Sequence, residues 1–203
     1  MRSGVIVAGG RSTRFGESDK AVAELAGTPM IRRVADRLRP VVDELVVNCR
    51  EDQQRAIRDA LAGYPLTVSY ALDTKPDRGP VAGIHDGLAA VESEYAAIVA
   101  CDMPFVQPDV LSLLFERAEG HDAAVPRLDD GWLQTTQAVY RADAMGAACE
   151  AALAEGDPRV LAPLDTIEYV VVEADEIEFV GSTQSFENLN TREEFEQAVD
   201  RLT

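Results

Sequence analysis

Val5-Ile6-Val7-Ala8-Gly9-Gly10 runs directly into Arg11-Ser12-Thr13-Arg14-Phe15-Gly16-Glu17-Ser18-Asp19-Lys20. A short apolar run closed by a glycine pair reads as a buried strand emptying into a tight turn. Backbone N–H groups can crowd around an anion only where side chains are absent, as at Gly9 and Gly10. Arg14 and Lys20 add full positive charges to the same loop. This combination suits a nucleoside triphosphate held by its phosphates; the plain alternative is a tight glycine turn with solvated arginines.

From this strand outward the pattern alternates strand and helix. Residues 4–8 read as the first strand and 9–20 as its loop. Thr28 and Pro29 read as a cap and first helical position, with the helix running to about Arg39 and Pro40 stopping it. Strands are expected at 45–49, 66–70 and 95–101, and helices at 53–61 and from Pro80 through Val91. Another helix starts at Gln107-Pro108 and carries Val110, Leu111, Leu113, Leu114 and Ala118 at helical spacing. A short strand at 123–125 precedes an Asp129-Asp130-Gly131 turn, and 135–140 alternates like one arm of a hairpin. Two small helices follow, split near Gly156-Asp157-Pro158, then a strand at 167–172. Thr191-Arg192-Glu193-Glu194 fits a capping box for the last helix.

Strands and helices of these lengths imply one domain over 1–203, a three-layer α/β/α fold with a mostly parallel central sheet. Ligands of such sheets bind outside the carboxyl ends of the strands. The loops after the first four strands hold residues 9–20, Asn48, Asp73 and Asp102, so all of these should face one crevice.

The composition narrows the class of partner. The 203 residues carry 36 acidic against 19 basic side chains, a formal net charge of −17, and only two of the basic residues, Lys20 and Lys75, are lysine. An acidic surface nearly free of lysine reads as adaptation to a salty cytoplasm, where screening relieves self-repulsion; the alternative is an acidic protein with an Arg-rich codon bias. Either way it disfavours non-specific nucleic-acid binding, which rests on surface Lys and Arg. Cys49, Cys101 and Cys149 are odd in number and widely spaced, neither a disulfide framework nor a zinc site. With no leader pattern at the start and no apolar run of about 18 residues, the expectation is a soluble cytoplasmic protein without a membrane partner.

Two familiar phosphate loops are excluded. Gly16 is followed by Glu17 and Lys20 by Ala21, which breaks G-x-x-x-x-G-K-[ST], and the adjacent Gly9 and Gly10 break G-x-G-x-x-G. A second cluster is Val99-Ala100-Cys101-Asp102-Met103-Pro104-Phe105, where a carboxylate just past a buried strand is well placed to hold Mg²⁺ on a triphosphate. Cys101 has no evident basic partner and reads as a buried strand thiol. Asp73 precedes Arg78-Gly79-Pro80-Val81-Ala82-Gly83-Ile84, which can aim a helix N-terminus at the site, with Gly83 allowing close approach. Lys75 is either a phosphate contact or incidental. Phe186-Glu187-Asn188-Leu189-Asn190-Thr191 offers Asn190 as a second metal ligand beside Asp102, with Thr191 taken up as a cap. His85 and His121 receive no role. Trp132 is either packing or a lid over a flat substrate.

Together these segments resemble the molybdenum cofactor guanylyltransferases of the nucleotidyltransferase superfamily. The resemblance spans nearly the whole chain: Ala8-Gly9-Gly10 with Arg14-Phe15-Gly16 and Asp19-Lys20, then Asn48, Asp73, Gly79-Pro80-Val81-Ala82-Gly83, Cys101-Asp102-Met103-Pro104 and Phe186-Glu187-Asn188-Leu189-Asn190-Thr191. It implies a Rossmann-like nucleotidyltransferase domain and Mg²⁺-dependent transfer of GMP from GTP to the terminal phosphate of molybdenum-bearing molybdopterin, with pyrophosphate released. By that resemblance Val7, Ala8, Gly9, Lys20, Asn48, Asp73 and Asp102 bind GTP, and Asp102 also binds Mg²⁺. Lys20, Arg14 and the amides around Gly10 would offset charge on the phosphoryl oxygens. Related cytidylyl enzymes tend to have Ala where Gly9 stands, which suggests that the missing Cβ admits guanine.

The sequence departs from the family pattern at Phe15, where Met is common, at Glu17, where a second Gly is frequent, and at Gln134-Thr135-Thr136-Gln137, which lacks the usual Pro. Two alternatives remain at this level. One is guanylyl or cytidylyl transfer to another phosphorylated acceptor, such as a cobamide precursor or a sugar phosphate. The other is a non-catalytic GTP-binding protein that delivers cofactor, in transient contact with molybdoenzymes or their chaperones.

Overall fold

The computed structural model describes residues 1–10, 19–73, 79–157 and 159–202. Strand β1 (Ser3–Val7) is followed by a two-stranded hairpin, β2 (Glu24–Leu25) and β3 (Thr28–Pro29), and by helix α1 (Met30–Leu38). Then come β4 (Glu44–Cys49), α2 (Gln54–Ala60), β5 (Val68–Leu72), α3 (Pro80–Leu88), β6 (Tyr95–Ala100) and α4 (Pro108–Ala118). The second half holds β7 (Ala123–Arg127), β8 (Gln137–Arg141), α5 (Ala142–Glu155), β9 (Tyr169–Glu173), α6 (Ala174–Val180) and α7 (Arg192–Leu202).

Seven strands form one sheet in the order β5-β4-β1-β6-β8-β7-β9. All are parallel save β8, which runs antiparallel to both β6 and β7. Both faces are covered, so the central strands are apolar on consecutive residues rather than alternating. Ile6, Leu45, Val47, Ala97 and Val99 pack into one core with Val34, Leu38, Leu111 and Leu114, from α1 and α4. Val5, Val46, Ala96 and Ile98 pack on the other face with Val81, Ile84, Met145 and Cys149, from α3 and α5. The expected three layers and mostly parallel sheet are what is found.

The strand order reverses beside β1: the chain moves to β4 and β5 on one side, then crosses to β6 on the other. That switch point is where open α/β sheets take their ligands. α3 approaches it closely because two of its residues lack side chains. A Cβ at Gly87 would meet Val5 Cγ1 at 2.5 Å, and one at Gly83 would meet Asn48 Oδ1 at 2.5 Å and Val7 Cγ1 at 3.0 Å.

Several local expectations are corrected. Thr28 and Pro29 do not open α1; they pair with Glu24–Leu25 across a turn in which Ala26 and Gly27 have φ of 47° and 72°. Positive φ at both central residues is the turn that matches strand twist, so the segment folds back before α1 begins at Met30. β5 lies two residues later than the 66–70 reading, because its pairing with β4 begins at Val68. α3 stops at Leu88, the residues to Val91 being i→i+3 turns. In place of two small helices there is one 14-residue helix, α5, ended by left-handed Gly156, and then only a 3₁₀ turn at Ala162–Thr166. α6 was not expected at all; its capping box uses Glu173 and Glu176 rather than Ser or Thr.

The last helix is capped as read, with Glu194 N donating to Thr191 Oγ1 at 3.2 Å and Thr191 N to Glu194 Oε2 at 2.9 Å. α7 and its approach pack on the β2–β3 hairpin through Leu25, Met30, Leu189 and Ala198. This small third core delivers residues 187–190 to the rim of the sheet.

Candidate active site

The sheet register lines up Ala71, Asn48, Val7 and Ala100 as one row across β5, β4, β1 and β6. Two residues beyond that row, on the four strands in turn, stand Asp73, Arg50, Gly9 and Asp102. The strand ends therefore present two carboxylates, a guanidinium and a bare backbone to a single crevice. Three of these four positions were read from the sequence; Arg50 was missed, although its place relative to its strand is the same as theirs.

Lys20 reaches this rim from a 3₁₀ turn, Lys20–Val22, capped by Asp19 Oδ1, which accepts from Ala21 N at 3.0 Å. Its Nζ lies 2.9 Å from Asp102 Oδ2 and 3.4 Å from Asn190 Oδ1. The pair is sheltered, with side-chain exposures of 9% for Lys20 and 21% for Asp102. Leu189 N donates to the Asp102 carbonyl at 3.0 Å, so the strap from the C-terminal core is fixed to the same loop. Asp102 Oδ1 is buried and, among the described residues, accepts no hydrogen bond.

Asp73 faces β1. Its Oδ1 accepts from Asn48 Nδ2 at 2.8 Å, and its Oδ2 lies so near Gly9 that a Cβ there would come within 2.5 Å. Asn48 is a fully buried member of β4, as the 45–49 strand reading has it, and not one of the loop residues facing the crevice. Its amide also donates to Ala71 O at 3.2 Å, so it braces Asp73 from below the crevice. Ala8 is buried and Val7 half-buried, as the floor under Gly9 and Gly10.

Arg50 Nη1 donates to Gly9 O at 3.0 Å and Gly10 O at 2.9 Å. Gln53, nearly fully buried and also unforeseen, donates from Nε2 to Ala8 O at 3.2 Å and Asp19 Oδ2 at 2.5 Å. Arg14, with the remainder of 11–18, and Lys75 and Arg78, within 74–78, lie outside the described residues. Gly79 has φ of 76° and places Pro80 at the first turn of α3, as the Gly-Pro reading anticipated.

The surroundings of the three thiols disfavour the reactive thiolate form. Cys101 sits just past β6 rather than in it; burial first, then the Asp102 carboxylate, pushes its pKa far up. Cys49 is pushed up to about 11 by burial and then by Asp73, and Cys149 to about 12 by burial. Trp132 is 67% exposed, which removes core packing as its explanation. His85 Nδ1 has Asp86 Oδ1 at 3.0 Å, a pairing of neighbours that the sequence reading did not assign.

The parallel-sheet switch point thus presents a lysine, two aspartates and glycine backbone at one rim. Residues 4–167 match the family model described as "MobA-like NTP transferase domain", and the chain belongs to that family. It is 52% identical over 202 residues to a Natronomonas pharaonis protein named "Probable molybdenum cofactor guanylyltransferase", covering 100% of this chain and 98% of that one. A Yersinia pestis protein named "Molybdenum cofactor guanylyltransferase" is 31% identical over 196 residues, covering 93% and 90%. Among solved structures, molybdopterin-guanine dinucleotide biosynthesis protein A from Archaeoglobus fulgidus superposes with a TM-score of 0.80 at 27% identity over 98% of each chain. The fold is shared more widely: 4-diphosphocytidyl-2C-methyl-D-erythritol synthase from Anaerococcus prevotii gives a TM-score of 0.73 at 18% identity, covering 99% of this chain and 97% of that one.

Proposed function

We propose that this protein is a Mg²⁺-dependent guanylyltransferase that moves GMP from GTP onto the terminal phosphate of molybdenum-bearing molybdopterin. The observation that carries this reading is the convergence of Lys20, Asp102 and Asn190 at the rim of strand ends where Gly9 and Asp73 also stand. An acceptor phosphate oxygen attacks the α-phosphorus of GTP, a new P–O–P linkage forms, and the bond to the β-phosphate breaks to release pyrophosphate. Both reactants are anions, so the residues act by positioning and charge neutralisation rather than proton transfer.

Lys20 and the amides of Gly9 and Gly10 bind the phosphates, and Arg14 adds charge from the same loop. Asp73, braced by Asn48, accepts hydrogen bonds from the ribose or base. Asp102 and Asn190 fit a divalent cation: Asp102 Oδ1 is a buried, unpartnered carboxylate oxygen among the described residues, and Asn190 contributes a carbonyl oxygen. Among the described residues no cluster of three or more His, Cys, Asp or Glu stands ready for a metal. Such a donor set suits Mg²⁺, which takes one or two protein ligands and completes its shell with phosphates and water. Bound there, Mg²⁺ would stabilise charge on the leaving pyrophosphate.

No described helix is long and apolar enough to cross a membrane. Incubation with Mg²⁺, molybdopterin and each of GTP, CTP and ATP in high salt, followed by mass analysis, tests the reading. A guanine dinucleotide product from GTP alone is expected. Product only with another nucleotide, or only with a cobamide precursor or sugar phosphate as acceptor, contradicts it. GTP binding with no pyrophosphate released leaves the delivery-protein alternative instead.

A further inference from the structure

Arg50 has the placement of a phosphate ligand but not the orientation of one. Its Nη1 is directed to the carbonyls of Gly9 and Gly10, its Nε donates to Asp52 Oδ1 at 3.1 Å, and its Nη2 lies 3.7 Å from Asp19 Oδ2. Gln53 joins the same cluster: its Oε1 accepts from Arg50 N at 3.1 Å, and its Nε2 donates to Ala8 O and Asp19 Oδ2. Two side chains from the β4–α2 connection thus hold the chain just before residues 11–18 and just after them.

The covalent geometry of the peptide gives this arrangement a consequence. In a planar trans peptide the C=O of one residue and the N–H of the next point in opposite directions, and no described peptide is cis. With Ala8 O turned to Gln53, the Gly9 N–H faces away from it. With Gly9 O turned to Arg50, the Gly10 N–H likewise faces away. Two successive amides are therefore aimed off the β4 side, and adjacent aligned N–H groups form an anion-binding concavity. At the other end, Asp19 Oδ2 is tied to Gln53 while Oδ1 caps the turn that carries Lys20. One network fixes both the amides and the lysine.

We infer that Arg50 and Gln53 are positioning residues that orient the phosphate-binding backbone and Lys20 without touching the nucleotide. This rests on the nucleotidyltransferase reading above. A guanidinium suits the task because its planar fork serves two carbonyls from one nitrogen while its other nitrogens meet carboxylates. Because the network acts on phosphate groups alone, its loss should separate triphosphate affinity from nucleoside affinity.

Calorimetric titration with Mg²⁺-GTP, Mg²⁺-tripolyphosphate and guanosine tests this on Arg50→Ala and on the isosteric Gln53→Glu, which cannot donate to Ala8 O. Arg192→Ala, an exposed residue of α7, serves as control. The expected result is a tenfold or greater loss of GTP and tripolyphosphate affinity in both variants, guanosine affinity within twofold, and native circular dichroism. Should Arg50→Ala not fold, Gln53→Glu decides alone. Unchanged GTP affinity in a folded variant, or equal loss of GTP and guanosine, overturns the inference. If the unaltered protein binds no triphosphate, the nucleotidyltransferase reading itself fails and takes this inference with it.

Discussion

Lys20 and Asp102 form an ion pair of 2.9 Å across 82 positions of sequence, at the rim where β1 and β6 end. The contact fixes the two side chains against each other, so cation and carboxylate are placed before any phosphate arrives. Preorganised charge of this kind needs no rearrangement as the reaction proceeds.

The absent side chain at Gly9 acts through Asp73. A methyl there would stand 2.5 Å from Asp73 Oδ2, and the carboxylate cannot swing away without losing its 2.8 Å bond from Asn48. Gly9→Ala is expected to lower the GTP-over-CTP preference in kcat/KM at least tenfold. In an Asp73→Ala background the same change should have much less effect, since neighbours couple. An unchanged preference in the single variant, or strict additivity in the pair, contradicts this route.

The close seat of α3 predicts a stability pattern among glycines. Gly87→Ala drives a methyl into Val5, and overpacking of this kind costs about 1–3 kcal/mol, which outweighs the helix propensity gained in α3. Gly146→Ala, in α5 with open space around the new methyl, should instead gain about 0.5–1 kcal/mol from helix propensity. Urea denaturation of both variants checks the opposite signs.

The thiols set an expectation for alkylation. A pKa raised to about 11 leaves about one part in a thousand of Cys49 as reactive thiolate at pH 8, and Cys101 and Cys149 are also raised. Iodoacetamide at pH 8 should modify the folded protein slowly and leave turnover intact, with the rate climbing as pH approaches 11. Rapid loss of activity at pH 8 would restore Cys101 as a candidate nucleophile.

Net charge of −17 makes salt a stabiliser. At 1 M ionic strength the screening length falls to about 3 Å, which removes most surface self-repulsion. Melting temperature should rise by several degrees between about 0.1 and 2 M KCl. A fall would show that attractive surface ion pairs outweigh repulsion.

The sequence made β1, the glycine pair at its end, the parallel sheet and the line-up of Gly9, Asp73 and Asp102 legible, because apolar runs and small-residue turns encode them locally. Asn48 reads both as a member of the 45–49 strand and as a crevice residue; it is the first, buried inside β4 where it braces Asp73, because the last residues of a strand count as strand and rim alike in the sequence. Arg50 and Gln53 stayed invisible because what they hold is carbonyl oxygen, which carries no side-chain signature. The β2–β3 hairpin was hidden by Thr28-Pro29, a pair that reads equally well as a helix start. α6 was hidden by a capping box written in glutamates.

Mg²⁺-dependent pyrophosphate release from GTP by Asp102→Asn tests the central claim most directly. The substitution keeps shape and a hydrogen-bond acceptor for Lys20 but removes the carboxylate, so the protein should melt cooperatively while turnover falls at least a hundredfold, about 3 kcal/mol. Turnover near that of the unaltered protein would contradict the assignment of Asp102 and the account built on its pairing with Lys20.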